Sequence, residues 1–323
     1  MVASWNAYLL GESTIEVEAT AFIAKDPMKD PNVGEWSEYL SWGEWGPQIR
    51  SGSKSTESGK TTLAYMSVDE FTVKTPSSAP NQGAMKVQFK VTLKQGENPD
   101  EQPILRQATA TWANTEREII RGYAEVPTTT ETAIRIKAPA YSQNVRDPDI
   151  GCSICNPTTL TVMLNQRDPK LDLLPEELAL TVQDFEYGFE NWSYTGSAPG
   201  LYGYESYAQY GNFDIIKQEL SKGHTVGMSV RYASYKNGSY PYLETGAANS
   251  TGGHLITLTG FYYDEAIDNY VYYSSDPATP NDYVASGEHR QYQEKHLKEA
   301  SSYSKTNKST TVSPPPALEN KIA

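Results

Sequence analysis

Up to about residue 135, apolar and polar positions alternate with a period of two. The clearest run is Thr14-Ile15-Glu16-Val17-Glu18-Ala19-Thr20-Ala21-Phe22-Ile23, and similar runs occupy 61–66, 70–74, 84–93, 105–111 and 132–137. Alternation sends successive side chains to opposite faces, so each run predicts a half-buried strand. Turn-rich stretches at 25–34, 51–60, 75–83 and 95–102 separate them. Short strands at this spacing predict an all-β unit over residues 1–137, a β-sandwich-like domain or a barrel. Trp36, Trp42 and Trp45 lie close together among polar neighbours. Large aromatics dominate core burial, so an inner face is expected for them rather than a glycan-stacking surface.

Beyond Ala138-Pro139-Ala140 the period changes to that of helices mixed with strands. Leu160, Met163 and Leu164 have i, i+3, i+4 spacing and predict a helix that opens near Cys155, with Asn156 as its cap and Pro157 at its first position. Residues 174–182 predict a second helix, with Pro175 in its first turn. Residues 212–220 predict a third, stopped by Ser221-Lys222-Gly223. The stretch 225–232 reads as a strand, with His224 a residue of the turn before it. The Tyr-, Gly- and Ser-rich stretch 187–210 reads as a surface loop near a cleft. Residues 254–261 and 270–275 predict two strands joined by a turn over 264–269, where Asp264 and Asp268 need only turn chemistry. A last helix is expected over 292–300, with His289 and His296 on or near its solvated face. The Ser-, Thr- and Pro-rich 301–323 then read as a disordered tail. The second domain is therefore expected over 138–300, which makes the class α+β.

Length and charge narrow what such a chain can do. With 323 residues there is room for two domains, each with its own core. The formal net charge of -13 removes the phosphate-neutralising surface that nucleic-acid binding requires, so no nucleic-acid partner is expected. No apolar run approaches the roughly 20 residues that cross a bilayer, so no membrane span is expected. Met1-Val2-Ala3-Ser4-Trp5-Asn6 has neither a charged n-region nor an apolar h-region, so a signal peptide is expected to be absent or already removed. Nothing in the sequence calls for a cofactor.

The candidate chemistry centres on the two cysteines, Cys152 and Cys155. At a helix N-terminus, unpaired N–H groups and the macrodipole favour an anion, which pushes a thiol toward the nucleophilic thiolate. Gln143, twelve residues before Cys155, can offer an amide donor to the oxyanion formed when a thiolate attacks a carbonyl. His254 heads an apolar strand after Gly252-Gly253, and Asp276 directly follows the next strand, so the hairpin makes the two neighbours. A carboxylate beside an imidazole fixes its tautomer, and that imidazole can hold a thiolate and later protonate a leaving amine. Three other readings of the cysteines stand beside this one. An inert core thiol needs no partner. A Cys-x-x-Cys redox pair would want a βαβ setting, whereas 144–149 is a polar loop. Structural zinc would want a second close pair of ligands, and among the histidines only His289 and His296 come near it, seven residues apart.

Gln143, Cys155-Asn156-Pro157-Thr158-Thr159, Gly253-His254-Leu255 and Asp276-Pro277-Ala278 together resemble the bacterial papain-fold cysteine peptidases related to the bacteriocin-leader-processing peptidases. That family carries a Gln, a Cys-Gly/Ser-Pro-Thr-Ser helix start, a Gly-His-Leu strand and an Asn-Asp-Pro corner in the same order. The resemblance spans 138–298 and extends weakly to the first domain through Ser4-Trp5-Asn6 and Glu35-Trp36-Ser37. It implies a papain-like cysteine peptidase domain with Cys155 as nucleophile, His254 as base and acid, Asp276 orienting His254, and Gln143 as oxyanion donor. It also implies a polypeptide substrate and a location outside the cell or on its surface; the rival reading is an inactive papain-like domain in a binding protein whose tryptophan-bearing β-domain engages a cell-surface component. The sequence departs from the family at Cys152, an extra thiol; at Asn156, where Gly or Ser is usual; and after Ala300, where an aromatic final strand is expected.

Overall fold

The computed structural model of the protein describes residues 1–48, 61–112, 129–280, 290–303 and 308–313. The first part of the chain is rich in strands: β1 (Val2–Tyr8), β2 (Thr14–Ala24), β3 (Gly34–Trp36), β4 (Leu40–Trp45), β5 (Ala64–Ser67), β6 (Glu70–Val73), β7 (Gly83–Lys94), β8 (Ile104–Thr111) and β9 (Ala133–Arg135). The second part mixes types: α1 (Cys155–Arg167), α2 (Pro175–Val182), α3 (Trp192–Ser197), β10 (Glu205–Tyr210), α4 (Phe213–Ser221), β11 (Val226–Ala233), β12 (Ser250–Asp264), β13 (Asn269–Ser275), β14 (Arg290–Gln293), α5 (Glu294–Tyr303) and β15 (Lys308–Ser313). The α+β class expected from the patterning is therefore observed. Among the described residues no helix is long and apolar enough to cross a membrane.

The long alternating run becomes β2, which pairs along its whole length with β7 and, on its other edge, with β3 and β4. Two further antiparallel ladders, β1 with β8 and β5 with β6, complete the strands of this region. Trp42 and Trp45 are buried, each with its indole N–H donated to a carbonyl: Trp42 to Asp69 at 2.9 Å and Trp45 to Thr181 at 3.0 Å. Trp36 instead lies on the surface, edge-on to Phe22. The turn-rich 51–60 lies outside the described residues, as does His289.

The second sheet runs in the order β10-β15-β11-β12-β13-β14, with β9 added beside β12. Gly260 permits that addition, because a Cβ there would collide with the Ile134 carbonyl of β9. β15 sits between β10 and β11, in a stretch where the composition predicts a disordered tail. Its Ser-, Thr- and Val-rich sequence suits a strand, and pairing on both sides supplies the backbone partners that a composition-based reading leaves out.

The apolar core does not divide at residue 137. One cluster joins Trp5, Ile15, Val17, Trp42 and Trp45 of the strand-rich region to Leu160, Met163, Leu164, Leu178, Val182 and Tyr194 of α1, α2 and α3. A second cluster lies between the larger sheet and α4 and α5. The two cores expected from chain length are thus arranged differently, with one of them shared across the proposed boundary.

The stretch 187–210, read from its polarity as a surface loop, is largely internal. All of Trp192 to Ser197 is buried in α3, and Ala198, Pro199 and Gly200 continue buried beyond it. Most of the polar groups there find partners within the protein, the Ser193 hydroxyl being the exception. Asn191 caps α3 by accepting from the Tyr194 N–H, and Ser197 Oγ accepts from the Trp5 N–H at 3.1 Å while donating to the Ser193 carbonyl. Small residues allow the close packing: a Cβ on Gly196 would press on Ser4 and one on Gly200 on the backbone of Ala7. Polarity marks exposure only when hydrogen-bond partners are missing inside.

Candidate active site

His254 lies on β12, paired across the sheet with Val230 of β11. Asp276 follows β13, whose last residue, Ser275, pairs with Thr257 of β12. The hairpin therefore places the two side chains together, as the strand pattern predicts. His254 Nε2 and Asp276 Oδ1 are 2.8 Å apart, with His254 5% and Asp276 1% exposed. Asp276 is fully engaged. Its Oδ1 also accepts from the Ala278 N–H at 2.9 Å, and its Oδ2 accepts from Tyr292 Oη at 2.7 Å and Tyr232 Oη at 3.2 Å.

Electrostatics at this pair follow from burial and proximity. Burial by itself would lower the His254 pKa, but the charge and hydrogen bond of Asp276, with a smaller contribution from Cys155, raise it to about 10. Burial would likewise raise the Asp276 pKa, yet the adjacent imidazolium and the hydrogen bonds from His254, Tyr292 and Ala278 hold it below the usual carboxylate range. Tyr232 and Tyr292 are pushed upward, mainly by burial and then by Asp276, so both stay O–H donors. These two tyrosines were not singled out from sequence. The periodicity of β11 marks Tyr232 as an inward residue but does not say what its hydroxyl meets.

Cys155 is the first residue of α1, where a backbone N–H has no intrahelical acceptor. The capping differs from the expected form. Ile154 is the N-cap and Pro157 is the third helical residue, while Asn156 turns inward and donates to the Phe189 carbonyl at 2.7 Å and to Thr195 Oγ1 at 2.6 Å. These two acceptors fix the amide inward, and its oxygen caps no helix N–H. The Cys155 side chain is half-buried against a small cluster of Val2, Trp192, Ala208 and Leu255, and it lies within electrostatic reach of His254. With Nε2 committed to Asp276, Nδ1 is the ring nitrogen left for the thiol. Cys152 is exposed, and both cysteines are free thiols.

Gln143 links the two sides of the site. Its backbone N–H donates to the Pro277 carbonyl at 2.8 Å, next to Asp276, and its side-chain Nε2 donates to the Gly151 carbonyl at 2.8 Å, in the turn that leads to Cys155. One N–H of the amide thus holds the turn. Asn144 adds to this seam by donating to the carbonyls of Ala278 and Thr279. Thr257 Oγ1 on β12 donates to the Thr159 carbonyl of α1, tying the helix to the sheet beneath it.

The other histidines are built into different surroundings. His224 Nδ1 pairs with Glu219 Oε2 at 2.8 Å in the turn after α4. His296 on α5 stacks edge-on against Tyr242 with ring centroids 5.2 Å apart, so it is half-buried rather than solvated. Among the described residues no group of three or more His, Cys, Asp or Glu is placed to hold a metal ion.

The sequence of the Peptidase_C39 like family matches residues 135–311, a stretch that includes Gln143, Cys155, His254 and Asp276. A crystal structure of a proposed C39-like peptidase from Bacillus anthracis is similar at 13% identity, with a TM-score of 0.40, covering 57% of this chain and 98% of that one. No curated protein matches the chain.

Proposed function

The chain belongs to the Peptidase_C39 like family, and from that premise we propose that it is a cysteine peptidase, cleaving a peptide or amide bond through a thioester on Cys155. In this reading His254 takes the thiol proton on Nδ1, and the resulting imidazolium stabilises the thiolate. The Cys155 sulfur attacks the scissile carbonyl carbon. The oxyanion that forms takes hydrogen bonds from the Cys155 backbone N–H and the second side-chain N–H of Gln143. Collapse to the thioester expels the amine, which receives its proton from His254. Water, deprotonated by His254, then attacks the thioester and releases the acid. Asp276 fixes the tautomer and stabilises the charged ring throughout.

The observation that carries this reading is the buried 2.8 Å pairing of His254 Nε2 with Asp276 Oδ1, made while Cys155 begins α1 beside the same ring. The test is the iodoacetamide alkylation rate of each cysteine between about pH 5 and pH 9, read by mass spectrometry in the wild type and in His254→Ala. Rapid alkylation of Cys155 below neutral pH that disappears with His254 supports a working nucleophile and base. If Cys155 alkylates like Cys152 and ignores the loss of His254, the catalytic reading is wrong.

A further inference from the structure

The nucleophile's side of the site is built from both parts of the chain. α3 packs on β10, where Ser206 donates to the Gly196 carbonyl, but much of its hold comes from the N-terminal strands. At its start, the Trp192 N–H donates to the Asp69 carboxylate at 3.0 Å. In its middle, Tyr194 stacks on Trp45 with centroids 6.3 Å apart, stands edge-on to Trp5, and donates its hydroxyl to the Trp42 carbonyl at 2.7 Å. Its Gly196 and Ser197 press on β1.

From α3 two contacts lead to Cys155. Trp192 belongs, with Val2 of β1 and with Leu255 beside His254, to the cluster against which the Cys155 side chain packs. Thr195 accepts from Asn156, the residue after the nucleophile.

Asp69 stands at the head of this chain of contacts, next to a residue in a costly conformation. The aspartate is 3% exposed, in the two-residue turn between β5 and β6. Val68 beside it has φ 55°, a left-handed conformation that a β-branched residue rarely adopts. Such strain costs roughly 1–3 kcal/mol and persists where surrounding contacts over-determine it. Here those contacts are the Asp69 carboxylate on Trp192 and the Asp69 carbonyl on the Trp42 indole. A carboxylate at the first N–H of a helix is also electrostatically well placed.

We propose that the N-terminal strands support the catalytic nucleophile, with Asp69 and Trp192 as positioning residues that act through α3 to set the Cys155 side chain against His254. The proposal rests on Cys155 being the nucleophile. It gives the strand-rich region a role in the reaction itself, beyond any contact that region makes with other molecules. Neither residue makes or breaks a bond in the reaction, and Trp192 meets the Cys155 side chain only as part of its packing. Their effect is on the geometry of the thiol and imidazole, where a small misplacement is costly.

The test uses the full chain, iodoacetamide as the probe, and Asp69→Ala, Asp69→Asn and Trp192→Phe. Asn keeps an acceptor for the Trp192 N–H, while Phe keeps that backbone contact and shortens the wall beside Cys155. In Asp69→Ala, alkylation of Cys155 below pH 7 should fall about ten-fold, while circular dichroism and thermal melting show a folded protein. Asp69→Asn should recover most of the rate, and Trp192→Phe should slow Cys155 without altering Cys152. A purely structural role would lower the melting temperature and leave the pH profile of Cys155 alkylation unchanged in folded protein. That result in Asp69→Ala and Trp192→Phe overturns the proposal, and if Asp69→Ala does not fold, Trp192→Phe alone decides. Failure of the nucleophile reading is distinguishable, because the wild-type profile would then be insensitive to His254→Ala.

Discussion

On its His254 side the site is held by a hairpin, and on its Cys155 side by a packed apolar wall drawn from distant parts of the chain. β12 carries His254 and the end of β13 delivers Asp276, 22 residues on, and hydrogen bonds from Tyr232, Tyr292 and Ala278 saturate the carboxylate. Cys155 depends instead on α3, on Asn156 and on the N-terminal strands. One half of the site is a local object and the other is assembled from the whole chain. Damage to the first should act on charge and proton transfer, whereas damage to the second should act through geometry and stability.

The largest effects separate the reacting groups from everything around them. Cys155→Ala and His254→Ala should each lower kcat/KM by about 10³-fold or more, since each removes a member of a unit that works only when complete. Trp36→Ala, a change on the exposed face of the strand-rich region, should leave kcat/KM within about two-fold of wild type. Steady-state kinetics on a peptide that the wild type cleaves measures both. Equal losses for Trp36→Ala and Cys155→Ala would erase the distinction between the site and its surroundings. Asp276→Asn comes next, with a loss in kcat of about 10²-fold, at the low end of what a positioned acid–base group contributes, because the ring loses the charge that stabilises its protonated form.

The hairpin also predicts how stability varies with pH. His254 has its pKa raised from 6.5 to about 10 on folding. A raised pKa means that the folded state holds the proton more tightly. The stabilisation is fully present below pH 6.5 and is lost as pH rises toward 10. Urea denaturation at stepped pH should therefore show stability falling across that window, with a slope approaching about 1.4 kcal/mol per pH unit. His254→Gln should flatten this limb. Asp276 acts in the opposite sense, its lowered pKa giving stability that is present above its unfolded value of 3.8 and lost as pH falls through the folded one. A wild-type profile without the alkaline decline would mean that the pair is not charged in the folded protein.

The Cys155 side answers to packing. Gly196 sits in α3 with Ser4 Cβ only 3.0 Å from the place its own Cβ would take, so Gly196→Ala should destabilise the fold by about 1 kcal/mol through overpacking. An unchanged denaturation midpoint would show that α3 can move away from β1 at little cost. The same packing explains why this side was hard to foresee. A strand's period of two is written in consecutive residues, and so β2, β7, β12 and β13 were legible along with the meeting of His254 and Asp276. Trp192-Ser193-Tyr194-Thr195-Gly196-Ser197 has no apolar period of its own. Its burial follows from partners such as Trp5, Trp45 and Asp69, which no local pattern connects to it. Gln143 lies between these cases: its nearness to the site could be foreseen, but not the commitment of one amide N–H to Gly151.

The smallest predicted effect tests how much the saturation of Asp276 matters. Tyr292→Phe removes the 2.7 Å hydrogen bond to Oδ2 and leaves Tyr232 at 3.2 Å on the same oxygen. The carboxylate keeps a donor on each oxygen, so the loss should be about 1 kcal/mol in stability and only a few-fold in kcat. Tyr232→Phe should cost somewhat more, because its hydroxyl also accepts from the Ala248 N–H at 3.1 Å and so ties the strand connection to the same carboxylate. Removing both hydroxyls should cost more than the sum of the two single changes. The second loss leaves Oδ2 buried without a donor, and its desolvation is then uncompensated. A double-mutant cycle on denaturation midpoints and kcat measures that coupling. Strict additivity would mean that the two tyrosines serve Asp276 independently, and the hairpin would then be no more cooperative than the packed wall across from it.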